Sequence, residues 1–156
     1  MEVPERLAAD AIARNLGADV SACVASRTVR GEGRGDELKP VAHDFEQPVH
    51  VLLVNPGVAV STAEVFRRWN GVDHGPLGPD PLAGRNDLEP PARAIAPVIG
   101  EVLATLAAQR GVTLARMSGS GATCFALYRS HDAMREAADK LASRHPGWWQ
   151  MDGKLR

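Results

Sequence analysis

Cysteine is scarce in this 156-residue sequence: there are two, too few for a disulfide framework. Cys23 and Cys124 each fall in an apolar stretch expected to be a strand, so buried free thiols are the expectation. The five histidines (His43, His50, His74, His131, His145) are scattered, and nothing has the spacing of a zinc site. No apolar run approaches the roughly 20 residues a bilayer-spanning helix needs. Met1-Glu2-Val3-Pro4-Glu5-Arg6 lacks the order of a signal peptide, which makes the cytoplasm the default location. An excess of charge is missing too. The formal net charge is -1, so nothing long-range draws in nucleic acid or an anionic membrane. What is present is the balance of a soluble globular protein, 44% apolar and 24% charged residues. A chain of this length buries roughly 70% of its unfolded surface. An anionic, nucleotide-sized substrate remains compatible with it, because local donors decide such binding.

Along the chain, Pro4 to Leu16 reads as a helix with an apolar stripe of Leu7, Ala8, Ala11 and Ile12, ended by Gly17. Val20-Ser21-Ala22-Cys23-Val24-Ala25 reads as a strand, and residues 27–41 as a second strand interrupted by Gly31, Gly33 and Gly35. Val49–Val54 should be a buried strand turning at Asn55-Pro56-Gly57. Ser61 or Thr62 is then placed to cap a short helix through Trp69. Residues 70–85 are glycine- and proline-rich loop. Val98, Val102, Leu103 and Leu106 predict one helix over about 92–110, with Asn86-Asp87 as its expected cap. Leu114–Met117 and Thr123–Tyr128 read as strands joined by Ser118-Gly119-Ser120-Gly121, followed by a helix over 132–144 and a last strand over 148–151.

From residue 49 onward the order strand, helix, strand, strand, helix, strand is that of an α+β ferredoxin-like sandwich, an antiparallel sheet with helices on one face. Residues 1–45 do not belong to that unit and look like the tail of another domain, leaving 46–156 as the second.

Three places could carry chemistry. Asp19 follows a helix-ending glycine, where it could orient or deprotonate a hydroxyl, or merely satisfy turn amides. Gly119 and Gly121 alternate with Ser118 and Ser120, which permits close approach of a phosphate or only makes a tight turn. Phe66 is either core or an exposed platform for a nucleobase. Each taken alone is as well explained structurally. Their order is specific. Leu16-Gly17-Ala18-Asp19-Val20 precedes Gly31-Glu32-Gly33-Arg34-Gly35-Asp36-Glu37-Leu38-Lys39-Pro40-Val41. Then follow Pro56-Gly57-Val58, Ser61-Thr62, Val65-Phe66, Asn86-Asp87-Leu88-Glu89 and Met117-Ser118-Gly119-Ser120-Gly121-Ala122-Thr123-Cys124-Phe125.

That series resembles the second half of the diphosphocytidyl-methylerythritol kinases of the GHMP superfamily. The resemblance implies phosphorylation of the 2-hydroxyl of a cytidyl diphosphate sugar alcohol, with ATP and Mg2+, in non-mevalonate isoprenoid biosynthesis. It implies Asp19 as the catalytic aspartate, and Phe66 and Thr62 as substrate-side residues, Phe66 against the cytosine ring. Gly119, Ser120 and Gly121 would be the loop that supports the phosphate side. Two departures stand out. Ser21 occupies the place where the family usually has proline. The family's glycine-serine-rich ATP loop, its lysine partner to the aspartate, and its remaining cytosine-pocket residues are expected before residue 1. The polypeptide alone is therefore expected to show negligible kinase activity and to self-associate through residues 1–45. A homoserine, mevalonate or galactose kinase of the same superfamily, or a non-catalytic ferredoxin-like binding module, remain the alternatives.

Overall fold

The structure is a computed structural model describing residues 12–13, 15–33, 35, 37–41, 48–78, 80 and 82–155. Its contacts divide the chain into two compact units, residues up to 47 and residues 48–155.

In the first unit, most of the helix expected over Pro4 to Leu16 lies outside the described residues; Ile12, Ala13, Asn15 and Leu16 are helical. The strand expected over Val20–Ala25 is instead a helix, α1 (Ala18–Ala25), closed by left-handed Ser26, whose amide bonds the Ala22 carbonyl at 3.2 Å. A short apolar run cannot separate the two periodicities. Three alanines favour the helix, and it places Asp19 in a first turn, where a carboxylate complements the free amides. Cys23 consequently stands exposed rather than buried. Ser21 is a buried residue of α1, not the start of a strand, and its hydroxyl has no partner among the described residues. The single interrupted strand expected over 27–41 is instead a hairpin: β1 (Val29–Glu32) pairs antiparallel with β2 (Glu37–Pro40), Val29 opposite Pro40, and the glycines that were to interrupt it lie at and beside the turn. Lys39 bonds Glu32 across it at 2.6 Å and holds that carboxyl below its usual range.

The second unit has a four-stranded antiparallel sheet in the order β4-β5-β3-β6, built from β3 (His50–Asn55), β4 (Val112–Met117), β5 (Cys124–Tyr128) and β6 (Trp149–Lys154). Placing the first and last strands side by side, with β5 on the other flank of β3, gives the ferredoxin-like arrangement expected. The register is fixed by pairs such as Leu52 with Ala126 and Val54 with Cys124. Alternate residues of β3 and β5 (Leu52, Val54, Cys124, Ala126, Tyr128) are buried with Met117 against helical side chains. α5 (His131–Arg144), capped by Ser130, contributes Met134, Ala137, Ala138 and Leu141. Trp148 packs against this core while Trp149 is exposed.

The single helix expected over 92–110 is two: α3 (Glu89–Ile95) and α4 (Val98–Ala107). Pro97 is the cause. It offers no amide to continue the ladder and pushes the preceding Ala96 to φ -131, ψ 86, outside the helical region. Ile99, Val102 and Leu106 of α4 are fully buried, so the periodicity survives the break. Together with Leu52, Val54, Met134 and Leu141 they form the centre of the core.

Burial separates the two thiols. Desolvation pushes Cys124 up to about 12, with Glu89 adding in the same direction. In the folded chain a disulfide reagent at neutral pH is expected to titrate one thiol, Cys23, and to reach the second only in denaturant, because the attacking species is the thiolate. Two equally fast thiols in the native chain would contradict this core.

Candidate functional site

Residues far apart in sequence meet at one end of the sheet. Val65, fully buried, anchors α2 (Thr62–Arg68) to the core, and the Ser61 hydroxyl caps it by accepting the Glu64 amide at 3.4 Å. Thr62 is its first residue. Phe66 stands one turn further on, and positions four apart share a helix face. Phe66 is 53% exposed, so this aromatic is not a core residue. Arg68, with Arg67, holds the Glu64 carboxyl below its usual range on this surface.

The loop 118–121 faces this helix. The Thr62 and Ser120 hydroxyls are hydrogen-bonded at 2.8 Å. The Ser118 amide bonds the Thr123 carbonyl at 2.9 Å and the Gly121 amide the Ser118 carbonyl at 3.0 Å, making a tight loop. Gly119 and Gly121 have φ of +54 and +88, which side-chain-bearing residues rarely adopt. They differ in surroundings. A Cβ on Gly119 would meet nothing within 4 Å, whereas one on Gly121 would lie 2.9 Å from Met117 Sδ and 3.2 Å from Ile99 Cδ1. Gly121 is thus a packing requirement, and Gly119 a conformational one beside open space. Among the described residues, the Gly119 and Ser120 amides have no acceptor.

Two asparagines complete the frame. The Asn55 side chain accepts the Gly57 amide at 2.8 Å and donates to Thr123 Oγ1 at 2.9 Å, joining the β3–α2 turn to the loop. Asn86 was expected as a helix cap. The residue preceding α3 is instead Leu88, which has no side-chain capping bond. Asn86 Oδ1 accepts the Leu88 amide at 3.0 Å, and Nδ2 donates to the Met117 carbonyl at 2.9 Å and the Gly119 carbonyl at 2.8 Å. Behind it, Arg85 bonds Asp87 and the Gly75 carbonyl, and Arg116 bonds the Leu82 carbonyl, tying down the long loop.

The structure therefore brings Thr62, Phe66, Gly119, Ser120 and Gly121 together. Asp19 belongs to the other compact unit, exposed in the first turn of α1. Sequence reasoning missed the roles of Asn55 and Thr123. Asn55 sits in an Asn-Pro-Gly turn that explains itself without a partner 68 residues away.

Residues 78–147 match the family model described as GHMP kinases C terminal. With a ferredoxin-like sheet, two-part helical cover and a glycine loop beside a helix N-terminus, the sheet-bearing unit is a GHMP kinase C-terminal domain. Its relatives narrow the class. The chain is 58% identical over 151 residues to the 4-diphosphocytidyl-2-C-methyl-D-erythritol kinase of Rhizorhabdus wittichii, covering 93% of this chain and 51% of that protein. It is 52% identical over 147 residues to the kinase of the same name from Sphingopyxis alaskensis, covering 90% of this chain and 52% of that one. A crystal structure of a 4-(cytidine 5'-diphospho)-2C-methyl-D-erythritol kinase superposes with a TM-score of 0.79 at 32% identity, covering 93% of this chain and 56% of that chain. These matches align the chain with the C-terminal part of 4-diphosphocytidyl-2-C-methyl-D-erythritol kinases. The chain spans about half the length of the curated relatives it matches.

Proposed function

We propose that this chain supplies the substrate-side half of an ATP-dependent kinase that phosphorylates the 2-hydroxyl of 4-diphosphocytidyl-2-C-methyl-D-erythritol. The observation that carries the reading is the Thr62–Ser120 hydroxyl pair, which joins the helix bearing Phe66 to the glycine loop. In this reading the Phe66 ring stacks on cytosine and Thr62 orients the polar part of the substrate. The free amides of Gly119 and Ser120 face the phosphate side. Asp19 positions the 2-hydroxyl and accepts its proton. ATP supplies the phosphoryl group. Transfer of this kind depends on positioning and charge stabilisation more than on covalent chemistry. Residues 1–45 are, on this reading, the tail of the ATP-binding domain, and 46–156 the C-terminal domain. The names and identities of the relatives favour the cytidyl substrate over homoserine, mevalonate or galactose.

Among the described residues no group of three or more His, Cys, Asp or Glu side chains could hold a metal ion. In this reading the Mg2+ ion would come with the phosphates of ATP, where one or two protein carboxylates suffice. No helix among them is long and apolar enough to cross a membrane.

The experiment is a chimaera in which this segment replaces the matching half of the Rhizorhabdus wittichii kinase, assayed for ATP-dependent phosphorylation of the cytidyl alcohol. Turnover is expected from the chimaera and negligible turnover from the 156-residue polypeptide alone. A folded chimaera that does not turn over sinks the proposal. Light scattering on the polypeptide alone checks its expected self-association through residues 1–45.

Phe66→Ala in the chimaera is expected to raise KM for the cytidyl substrate about 5- to 150-fold, the equivalent of about 1–3 kcal/mol for a base–aromatic stack. The melting temperature should barely move, since an exposed side chain away from the core contributes within about 0.5 kcal/mol. An unchanged KM would remove Phe66 from the binding site.

A further inference from the structure

We propose that Asn86 is a positioning residue of the phosphoryl-transfer site, one that sets the direction of the Ser120 amide through the Gly119 carbonyl; this rests on the kinase reading above. The carbonyl of Gly119 and the N–H of Ser120 belong to one planar peptide unit. In a trans unit they point to opposite sides. Asn86 Nδ2 holds the Gly119 carbonyl at 2.8 Å, so the Ser120 N–H is turned the other way, with no acceptor among the described residues. The second hydrogen of Nδ2 goes to the Met117 carbonyl at 2.9 Å, at the root of the loop. Oδ1 accepts the Leu88 amide at 3.0 Å, which fixes the carboxamide to the start of α3. Both donors and the acceptor of this half-buried side chain are used, so the group cannot rotate without losing a bond. On the far side of the loop, Thr62 holds the Ser120 hydroxyl. The peptide is thereby clamped between α2 and the segment leading into α3, with its donor direction set by Asn86.

The plain structural alternative is that Asn86 serves only the turn that opens α3. Asn86→Asp separates the two. Aspartate makes the same turn to the Leu88 amide, but it has no hydrogens to give. At neutral pH it sets carboxylate oxygen against the Met117 and Gly119 carbonyls. A turn residue would be rescued by this substitution and a positioning residue would not.

In the chimaera, Asn86→Asp is expected to lower kcat about 10- to 100-fold, the scale of an ångström-sized misplacement of a site group, with KM for the alcohol unchanged. In the 156-residue chain, the same substitution is expected to speed hydrogen exchange at the Ser118 and Gly121 amides, which bond within the loop. Exchange in β3 and β5 should stay as in the parent, which shows that the sheet is intact. Unchanged exchange at Ser118 and Gly121 overturns the proposal whatever the activity, and so does a variant with the parent's kcat. A parent chimaera without turnover instead sinks the kinase reading, while the exchange experiment still reports on Asn86. If Asn86→Asp disturbs the sheet as well, Asn86→Ala, which adds no charge, is put through the same two measurements with the same criteria.

Discussion

Asp19→Asn in the chimaera is expected to cut kcat by about 10²–10⁴-fold, the range contributed by a positioned general base. The amide keeps the size of the carboxylate and can still accept a hydrogen bond, so it removes the charge and the proton-accepting capacity while preserving shape. Asp19 is exposed at the first turn of α1. Its charge there stabilises the helix by only about 0.3–1 kcal/mol, so the melting temperature should fall by a few degrees at most. A large kinetic effect over a small thermal one is the signature of a group acting in the transition state. If Asp19→Asn turns over like the parent, another group takes the proton. If the segment is a non-catalytic module, the substitution has no phenotype at all.

The second large effect is on stability. Gly121→Ala is expected to destabilise residues 48–155 by about 2–3 kcal/mol, the sum of a strained backbone conformation and overpacking. Its new methyl would be placed 2.9 Å from Met117 Sδ and 3.2 Å from Ile99 Cδ1, at φ +88. A methionine would normally swing aside, but Met117 is 1% exposed and Ile99 fully buried, so neither has room. Gly119→Ala is the matched control. Its Cβ points into open space at φ +54, which leaves only the conformational cost, about 1 kcal/mol. For a unit of this size each kcal/mol shifts the melting temperature by about 4–8 °C, so thermal melts of the two variants should separate clearly. Equal melting temperatures would mean that the loop is not packed on the core as described.

The ferredoxin-like half was legible because its central strands are apolar runs bounded by turn residues and its helices carry buried stripes. The Val49–Val54 run and the Met134, Ala137, Ala138, Leu141 stripe say the same thing at every level. Failures fell where the signal was short or the partner distant. Val20–Ala25 has too few residues for a period to show. The first-turn position of Asp19 was a helix signal, and so was a family preference for proline two residues later, in a helix's opening turn. Pro97 was visible, but the periodicity of Val98 to Leu106 runs straight past it. The site itself was legible as a set of residues and not as an arrangement. Thr62 and Ser120 are 58 positions apart, and no local pattern predicts that their hydroxyls meet. Asn86 was legible as a turn residue, which it is. Its two donor bonds, to carbonyls 31 and 33 residues away, were not.

Those long spans bear on the order in which the molecule assembles. The loop 118–123 is held by Asn55, Thr62 and Asn86, across sequence separations of 68, 58 and 31 to 33 residues. Closing loops of such length costs entropy before any contact is gained. The loop therefore takes its final shape only after β3, α2 and the start of α3 have each found the sheet, and its polar ties are expected to loosen early on warming. On the kinase reading, competence would arrive as a late step of folding and depart as an early step of unfolding. A falling turnover would then register heat damage several degrees before the helices melt.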